Sequence, residues 1–351
     1  MLEQLAKDDY RDSTHPAVVA GTTLSHTEAG RVLEAAGESL HAELFAPTVP
    51  TDSAIQPAEL LIVQGDGSRY RTNEADQPAQ DLPADEDALS EEERKRGWRE
   101  NKIGVVIRAL PGKVRPEGDY QPPEELVKTC VATTGSLEQF EHDILTEAQR
   151  RGAKHAREVV AVSDNGHGLP GLWERFFAAL GLLLIRITDF YHCAKRLAQC
   201  AALIKGDDAA HKGERGRFYR RLRALLWNGK VEKVIAVLRA EAERLAPQPR
   251  SLRELADQPA AHALWTHLLY FEKYKHTMDY PTCRAKGWPM GSGSVESACG
   301  QFGDRVKHNR MRWTRRGAEA LHVVKAAIFS GDDRWAKRWP PPIPVLEVPA
   351  A

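Results

Sequence analysis

The chain has 351 residues, a formal net charge of zero and 28% charged residues. This length allows two or three domains, and a neutral balance gives no sign of a nucleic-acid partner by itself. The five cysteines form no C-x-x-C pair, which argues against a disulfide framework or a cysteine-rich zinc site. The N-terminus lacks a signal-peptide pattern, and the longest apolar stretch, residues 182–187, is too short to cross a membrane. These features predict a soluble cytoplasmic protein.

The first predicted elements are an amphipathic helix and a short hairpin. Ser25 and Glu28 form a capping-box pattern that precedes apolar residues at helical spacing, which predicts a helix over residues 28–45. The apolar run at 59–63 has strand character. Asp66-Gly67 is a dipeptide that favours hairpin turns, so residues 68–72 are expected to pair back as the second arm.

The rest of the chain mixes strands with helices before it becomes entirely helical. Residues 73–93 are acidic, contain two prolines and show no period, which predicts an exposed, disordered insertion. Residues 98–107 form a third strand candidate, so the three strands could make an antiparallel meander. The later predicted elements are a helix at 137–151, a strand at 158–162, a helix at 172–180, a strand at 182–187, and helices at 190–204, 217–227, 231–245, 262–276, 296–307 and 314–329. A strand, a helix and a strand with short connections indicate a parallel pair covered by helices.

Charge is distributed unevenly along the chain. Residues 51–100 carry 13 acidic and 6 basic side chains, a net of −7, whereas residues 299–339 carry 10 basic and 4 acidic ones, a net of +6. Such asymmetry fits a basic contact surface together with an acidic segment elsewhere. Because the basic stretch also contains Trp313, it suggests a phosphodiester substrate.

Three acidic residues lie where catalytic groups are usually placed. Asp66 follows an apolar strand, Asp164 follows a buried strand, and Glu296 lies in the first turn of a helix. Ser292 or Ser294 could cap that helix. Each acid also has a structural reading, as a hairpin turn, a loop cap and a helix cap. If they act together, oxygen ligands on separate elements suit Mg²⁺ or Mn²⁺ better than zinc.

A second pattern, Asp-x-x-His, occurs twice in the chain. It places Asp164 before His167 and Asp189 before His192. Imidazole and carboxylate groups together are also a ligand set for transition metals, so a zinc or manganese hydrolase acting on a small substrate is an alternative. The structural reading of His192 is a histidine bonded to the backbone where a strand meets a helix.

Several motifs together resemble the DDE transposases of bacterial insertion sequences, most closely the ISKra-type group and more loosely the Mutator-type transposases. The matching segments are residues 64–67, 98–106, 162–164, 187–192, 288–299 and 311–320. The Gly-Ser-Gly-Ser-Val-Glu-Ser-Ala-Cys block at 291–299 and the Met-Arg-Trp block at 311–313 are specific, whereas the Asp-Gly dipeptide alone is not.

The resemblance implies an α/β fold with a ribonuclease-H-like mixed sheet flanked by helices, and with an all-helical insertion before the last catalytic acid. The implied divisions are an N-terminal helical segment and linker at 1–57 that could be a truncated DNA-binding region, a first catalytic part at 58–192 with the acidic insertion 73–93, a helical insertion at 193–288, closing catalytic helices at 289–330, and a loose tail at 331–351.

The function that the resemblance implies is DNA end cleavage and strand transfer of an insertion sequence. Asp66, Asp164 and Glu296 would be the catalytic residues and would hold two Mg²⁺ or Mn²⁺ ions, with Asp189 and His192 in support. The expected DNA contacts are Arg305, Lys307, Arg310, Arg312, Trp313, Arg315 and Arg316, although Trp313 could equally be a core residue. The expected partners are the element's ends and target DNA, with the protein a nucleoid-associated homo-oligomer and no membrane. The alternative is a truncated transposase that binds DNA without catalysis.

Overall fold

The computed structural model describes residues 25–46, 58–72, 98–307 apart from 117, 167, 248 and 250, and 313–340. Within this part the protein is an α/β structure built on a mixed five-stranded sheet flanked by helices. The predicted insertion at 73–93 lies outside the described residues. None of the described helices is long and apolar enough to span a bilayer.

The strands of the main sheet are β1 (Leu60–Arg71), β2 (Trp98–Leu110), β5 (Glu124–Thr133), β6 (Glu158–Ser163) and β7 (Arg186–Thr188), and a separate small hairpin contains β3 (Lys113–Val114) and β4 (Tyr120–Gln121). Their spatial order in the main sheet is β5-β2-β1-β6-β7. The pairs β1–β2 and β2–β5 are antiparallel, whereas β1–β6 and β6–β7 are parallel. The sheet therefore has an antiparallel half, β5-β2-β1, and a parallel half, β1-β6-β7.

The helices are α1 (His26–Leu44), α2 (Leu137–Arg150), α3 (Leu169–Leu180), α4 (Phe190–Lys205), α5 (Lys212–Trp227), α6 (Val231–Leu245), α7 (Pro259–Tyr274), α8 (Tyr280–Lys286), α9 (Gly293–Val306), α10 (Arg315–Phe329) and α11 (Arg334–Arg338). Short 3₁₀ turns lie at Ala153–His155, Leu252–Leu255 and Lys275–Thr277. The predicted helices are confirmed with small shifts of their ends. Part of the predicted loose tail forms α11.

Both faces of the sheet are buried. Successive side chains of a strand point to opposite faces, so the continuous apolar residues at the start of β1 contribute to two cores. Along β1, Leu61 and Val63 point into a core that α2 and α3 complete. Leu60 and Ile62 point into the opposite core, to which α9 and the helices of residues 190–286 contribute. Because these helices share one core with the sheet, α4 and α9 lie on the same face of it.

Helices α1 and α10 pack together at one side of the sheet. Leu33 of α1 and Leu321 of α10 are both fully buried in this contact. Gly37 is needed for the close approach, since a Cβ there would lie 2.5 Å from the Cα of Ala320. The capping box predicted for α1 is present, with the Ser25 hydroxyl accepting from the backbone of Glu28.

Three predictions about the strands differ from the structure. The predicted hairpin turn at Asp66-Gly67 does not form, because β1 runs straight through it and pairs with β2 from Leu60↔Ala109 to Arg71↔Trp98. The antiparallel meander instead uses β5 as its third strand, which the sequence interpretation did not identify. The strand predicted at 182–187 is reduced to β7, whose first residue is Arg186.

Candidate active site

The three predicted carboxylates line one cavity. Asp66 lies on β1, Asp164 follows β6 directly, and Glu296 lies in the first turn of α9. The parallel pairing of β1 with β6 ends at Gln64↔Val162, so each aspartate lies two residues beyond the last pair. The cavity has a volume of about 380 Å³, and its other lining residues are Gly65, Tyr191, His192, Lys195 and Ser292.

Negative charge predominates in this cavity, which is lined by three carboxylates and by the ammonium group of Lys195. Burial raises the pKa of Asp66 to about 6, and the neighbouring charges of Asp164 and Glu296 add to the effect. Burial likewise raises the pKa of Glu296, with contributions from Asp189 and Asp164. A proton or a cation bound here would relieve this repulsion.

The oxygen donors of the cavity suit a hard divalent cation in their chemistry, although their present arrangement is open. Among the described residues, no group of three or more His, Cys, Asp or Glu side chains is arranged to hold a metal ion as it stands. Side-chain rotation would therefore have to accompany binding.

Gln64 connects β1 to the start of α9, and sequence reasoning gave it no role. Its side chain is 3% exposed. The amide nitrogen donates to the carbonyl of Gly291 at 3.4 Å, and the amide oxygen accepts from the backbone of Val295 at 3.0 Å. Since Gln64 is two residues from Asp66 and Val295 precedes Glu296, this side chain fixes the relative positions of two of the three acids.

Asp189 joins α4 to the loop before α9. Its buried carboxylate caps α4 by accepting from the backbone of His192 at 2.7 Å. It also accepts from the backbone and the hydroxyl of Ser292, at 2.5 and 2.6 Å. The expected capping of α9 by a serine hydroxyl is absent at Ser292, because that hydroxyl binds Asp189 instead. This placement favours a positioning role for Asp189.

The backbone around Asp164 is held by its neighbours. Asn165 adopts a left-handed conformation with φ of 60°, and its side chain donates to the hydroxyl of Thr188 at 2.7 Å. The hydroxyl of Tyr270, on α7, donates to the carbonyl of Asp164 at 2.8 Å. The guanidinium of Arg196 lies 3.9 Å from the centre of the Tyr270 ring. The helical region thus supports the loop that presents Asp164.

Two basic side chains on α4 face the acids. His192 lines the cavity, and burial lowers its pKa against the opposing influence of Asp164, so the imidazole is neutral near pH 7. Lys195, one turn further along α4, is exposed at the edge of the cavity and brings a positive charge to it. Sequence reasoning missed Lys195, for which helical spacing from His192 was the available signal.

The alternative site built on both Asp-x-x-His pairs receives less support. His167 lies outside the described residues. The carboxylate of Asp189 is occupied by hydrogen bonds to His192 and Ser292. Glu296, which this alternative does not use, shares the cavity with Asp164 and His192.

The residues expected to contact DNA have different surroundings in the structure. Lys307 lines two cavities, one of which also contains Asp66. Trp313 is 4% exposed and packs in the core between α1 and α10, which favours its core role. Arg316 is exposed but forms ion pairs with Glu34 and Glu38 of α1. Arg315 begins α10, while Arg310, Arg312 and the side chain of Arg305 lie outside the described part.

A scan against protein-family models found no match to this chain, and searches of curated proteins and of solved structures found none either.

Proposed function

We propose that the protein is a metal-dependent polynucleotidyl transferase, a DDE transposase with a ribonuclease-H-like catalytic domain. The observation that carries this proposal is the shared cavity of Asp66, Asp164 and Glu296, which come from three elements separated widely in sequence. The mixed sheet flanked by helices is compatible with that fold. The raised pKa of Asp66, about 6, supports a site made for a cation.

Asp66, Asp164 and Glu296 would hold two Mg²⁺ or Mn²⁺ ions. When bound, such ions activate water or a 3′-hydroxyl and stabilise the leaving oxygen of a phosphodiester. The chain's own residues prepare the site: Gln64 and Asp189 fix the elements that present the carboxylates.

The cavity's side chains also indicate where a proton must leave and where a phosphate could bind. Asp66 must lose its proton before its carboxylate can bind a cation. Lys195 lies where it could pair with a non-bridging phosphate oxygen at the cavity edge. The neutral His192 beside Asp164 adds no positive charge that would oppose a cation.

We also infer that the protein acts as a homo-oligomer, because a transposase must join the two ends of its element to target DNA in one event.

The test is cleavage of the duplex DNA that flanks the protein's own coding sequence, with Mg²⁺ or Mn²⁺. Glu296→Gln keeps the side chain's shape but removes its charge, so we expect cleavage and strand transfer to fall by at least about a thousandfold. The matched control is Glu243→Gln, an exposed carboxylate on α6, which should cut like the wild type.

The outcomes separate the two transposase proposals. A Glu296→Gln variant that cuts as fast as the wild type shows that Glu296 is only a helix residue, and the catalytic proposal is then wrong. If the wild type and the variant bind this DNA equally and neither cuts, the protein is better described as a DNA-binding protein without catalysis.

A further inference from the structure

A second cavity adjoins the one that contains the three acids. It has a volume of about 850 Å³ and lies between the small β3–β4 hairpin and the segment before α9. Its lining combines flat and apolar side chains, including Tyr120, Trp227 and Pro289, with charged ones. The charged side chains are Arg115, Asp119, Glu125, Asp189 and Glu296. Tyr191 and Glu296 line both cavities, so the two spaces meet at these side chains.

Tyr191 is unusual among the aromatic residues of this region because it is open to solvent. Its exposed fraction is 62%, whereas the adjacent Phe190 is fully buried. The Phe190 ring supports it edge to face, with ring centres 5.6 Å apart. The ring also lies against Gly291, where a Cβ would approach its Cδ2 atom to 2.6 Å. The fold therefore holds this ring in place and leaves aromatic surface uncovered.

From this geometry we infer that Tyr191 is a stacking platform for a nucleobase, and that the second cavity receives the nucleoside next to the phosphate that is cut. This inference rests on the proposed function. A phosphate among the acids would leave its neighbouring nucleoside at the side chains that the two cavities share. Aromatic rings bind bases of any sequence by stacking, which suits a subsite that must accept the strand's end.

The experiment is a coupling measurement between the ring and the base. The probe is the flanking duplex with Ca²⁺ in place of Mg²⁺, either intact or with an abasic site at the nucleotide adjoining the cleaved bond. Tyr191→Ala should bind the intact duplex about tenfold more weakly than the wild type, and Tyr191→Phe should bind it normally. On the abasic duplex the difference between wild type and Tyr191→Ala should disappear, because there is no base to stack.

A matched control is Leu183→Ala, which truncates an apolar side chain that is 83% exposed and lies outside both cavities. It should bind both duplexes like the wild type. Equal weakening of Tyr191→Ala on intact and abasic duplexes, at either flanking nucleotide, would show that the ring is structural and would overturn the inference.

This outcome is separable from failure of the proposed function. Loss of coupling with cleavage that still depends on Glu296 overturns the base subsite alone. Coupling together with cleavage that survives Glu296→Gln overturns the catalytic proposal alone, since the coupling measurement needs only binding and the position of the cut. A protein that binds neither duplex overturns both.

Discussion

Two carboxylates in this protein, the fully buried Glu147 and the half-buried Asp66, have opposite surroundings. Glu147, on α2, is fully buried and accepts from Arg150 at 2.8 Å, Arg151 at 3.0 Å and Arg334 at 2.6 Å. Burial acts to raise the pKa of Glu147, but the arginines outweigh it and hold the pKa below its ordinary value. Asp66 is half-buried, and burial together with the charges of Asp164 and Glu296 raises its pKa to about 6 in spite of the hydrogen bond that it accepts from the backbone of Gly67.

The comparison of Glu147 with Asp66 shows that the position of a carboxylate and its neighbours decide its role. Glu147 joins α2 to the segment at α11 and has its charge neutralised by the protein itself. Asp66 borders an open cavity and forms none of the ion pairs that Glu147 has; the charges of Asp164 and Glu296 act against its ionised form, and a proton or an external cation would relieve that repulsion. The first arrangement fits a structural role, and the second fits a binding site.

The largest effect on stability is expected at Glu147. Glu147→Gln removes the carboxylate that three arginines share, while Asp332 remains a partner of Arg151 and Arg334. The free energy of unfolding should therefore fall by about 3 kcal/mol, the lower end of the cost of breaking a buried ion pair. The measurement is urea unfolding. As a control, Glu141→Gln removes a carboxylate paired with the exposed Arg175, and its cost should stay below about 1 kcal/mol. Equal costs in the two variants would contradict the comparison.

Asp66→Asn should act in the opposite direction. The folded pKa of about 6 lies above the ordinary 3.8, so the folded state is favoured below that range and loses stability as the pH rises through it. Asparagine has no such loss, so the variant should be more stable than the wild type by up to about 3 kcal/mol near pH 7.5.

The control for this prediction is the pH dependence of the stability difference between Asp66→Asn and the wild type. Near pH 4 both states of the wild type hold the proton for much of the time, so the advantage of Asp66→Asn should largely vanish. Urea unfolding at both pH values, with a chelator present, measures it. A variant that is less stable than the wild type near pH 7.5 would mean that Asp66 is compensated within the protein.

A divalent cation should stabilise the wild type by a smaller amount. At ten times its dissociation constant, Mg²⁺ or Mn²⁺ should add about 1.4 kcal/mol, and the thermal midpoint should rise accordingly. Because the proton of Asp66 must leave first, affinity should increase about fourfold between roughly pH 5.5 and 7.5. Asp66→Asn and Glu296→Gln should lose this response and Glu243→Gln should keep it; a response in all of them would place the cation elsewhere.

The elements with strong periodicity could be predicted from the sequence, and those set by distant pairing could not. α2 and β6 appear where their apolar spacing indicates. Asp66-Gly67 favours a turn locally, but the β1–β2 ladder continues past it and overrides that preference. β5 was missed because its first three residues are exposed, which hides the strand pattern in its outer half.

The acidic residues of the candidate site could be predicted from the sequence, but the side chains that hold them in position could not. Asp164 and Glu296 follow local signals, a strand end and a helix start. The bond between Gln64 and Val295 joins residues 231 positions apart, and that between Arg334 and Glu147 joins residues 187 apart. No local pattern marks such pairs, because the fold alone brings them together. Side chains that position a site are therefore the ones that sequence reasoning is least able to find.

The smallest expected effect concerns the basic segment, where Lys307 and Arg316 form a matched pair. Lys307 lines the cavities on the Asp66 side, so Lys307→Ala should lower the slope of DNA affinity against salt by about 0.9, the value for one phosphate contact. Arg316 is already neutralised by Glu34 and Glu38, so Arg316→Ala should leave the slope nearly unchanged and affect stability little, since exposed ion pairs contribute little. Binding titrations across a salt series measure both slopes. Equal losses in the two variants would show that Arg316 leaves its carboxylates for DNA, as the sequence resemblance implies, and that the contact surface extends from the acids to α10.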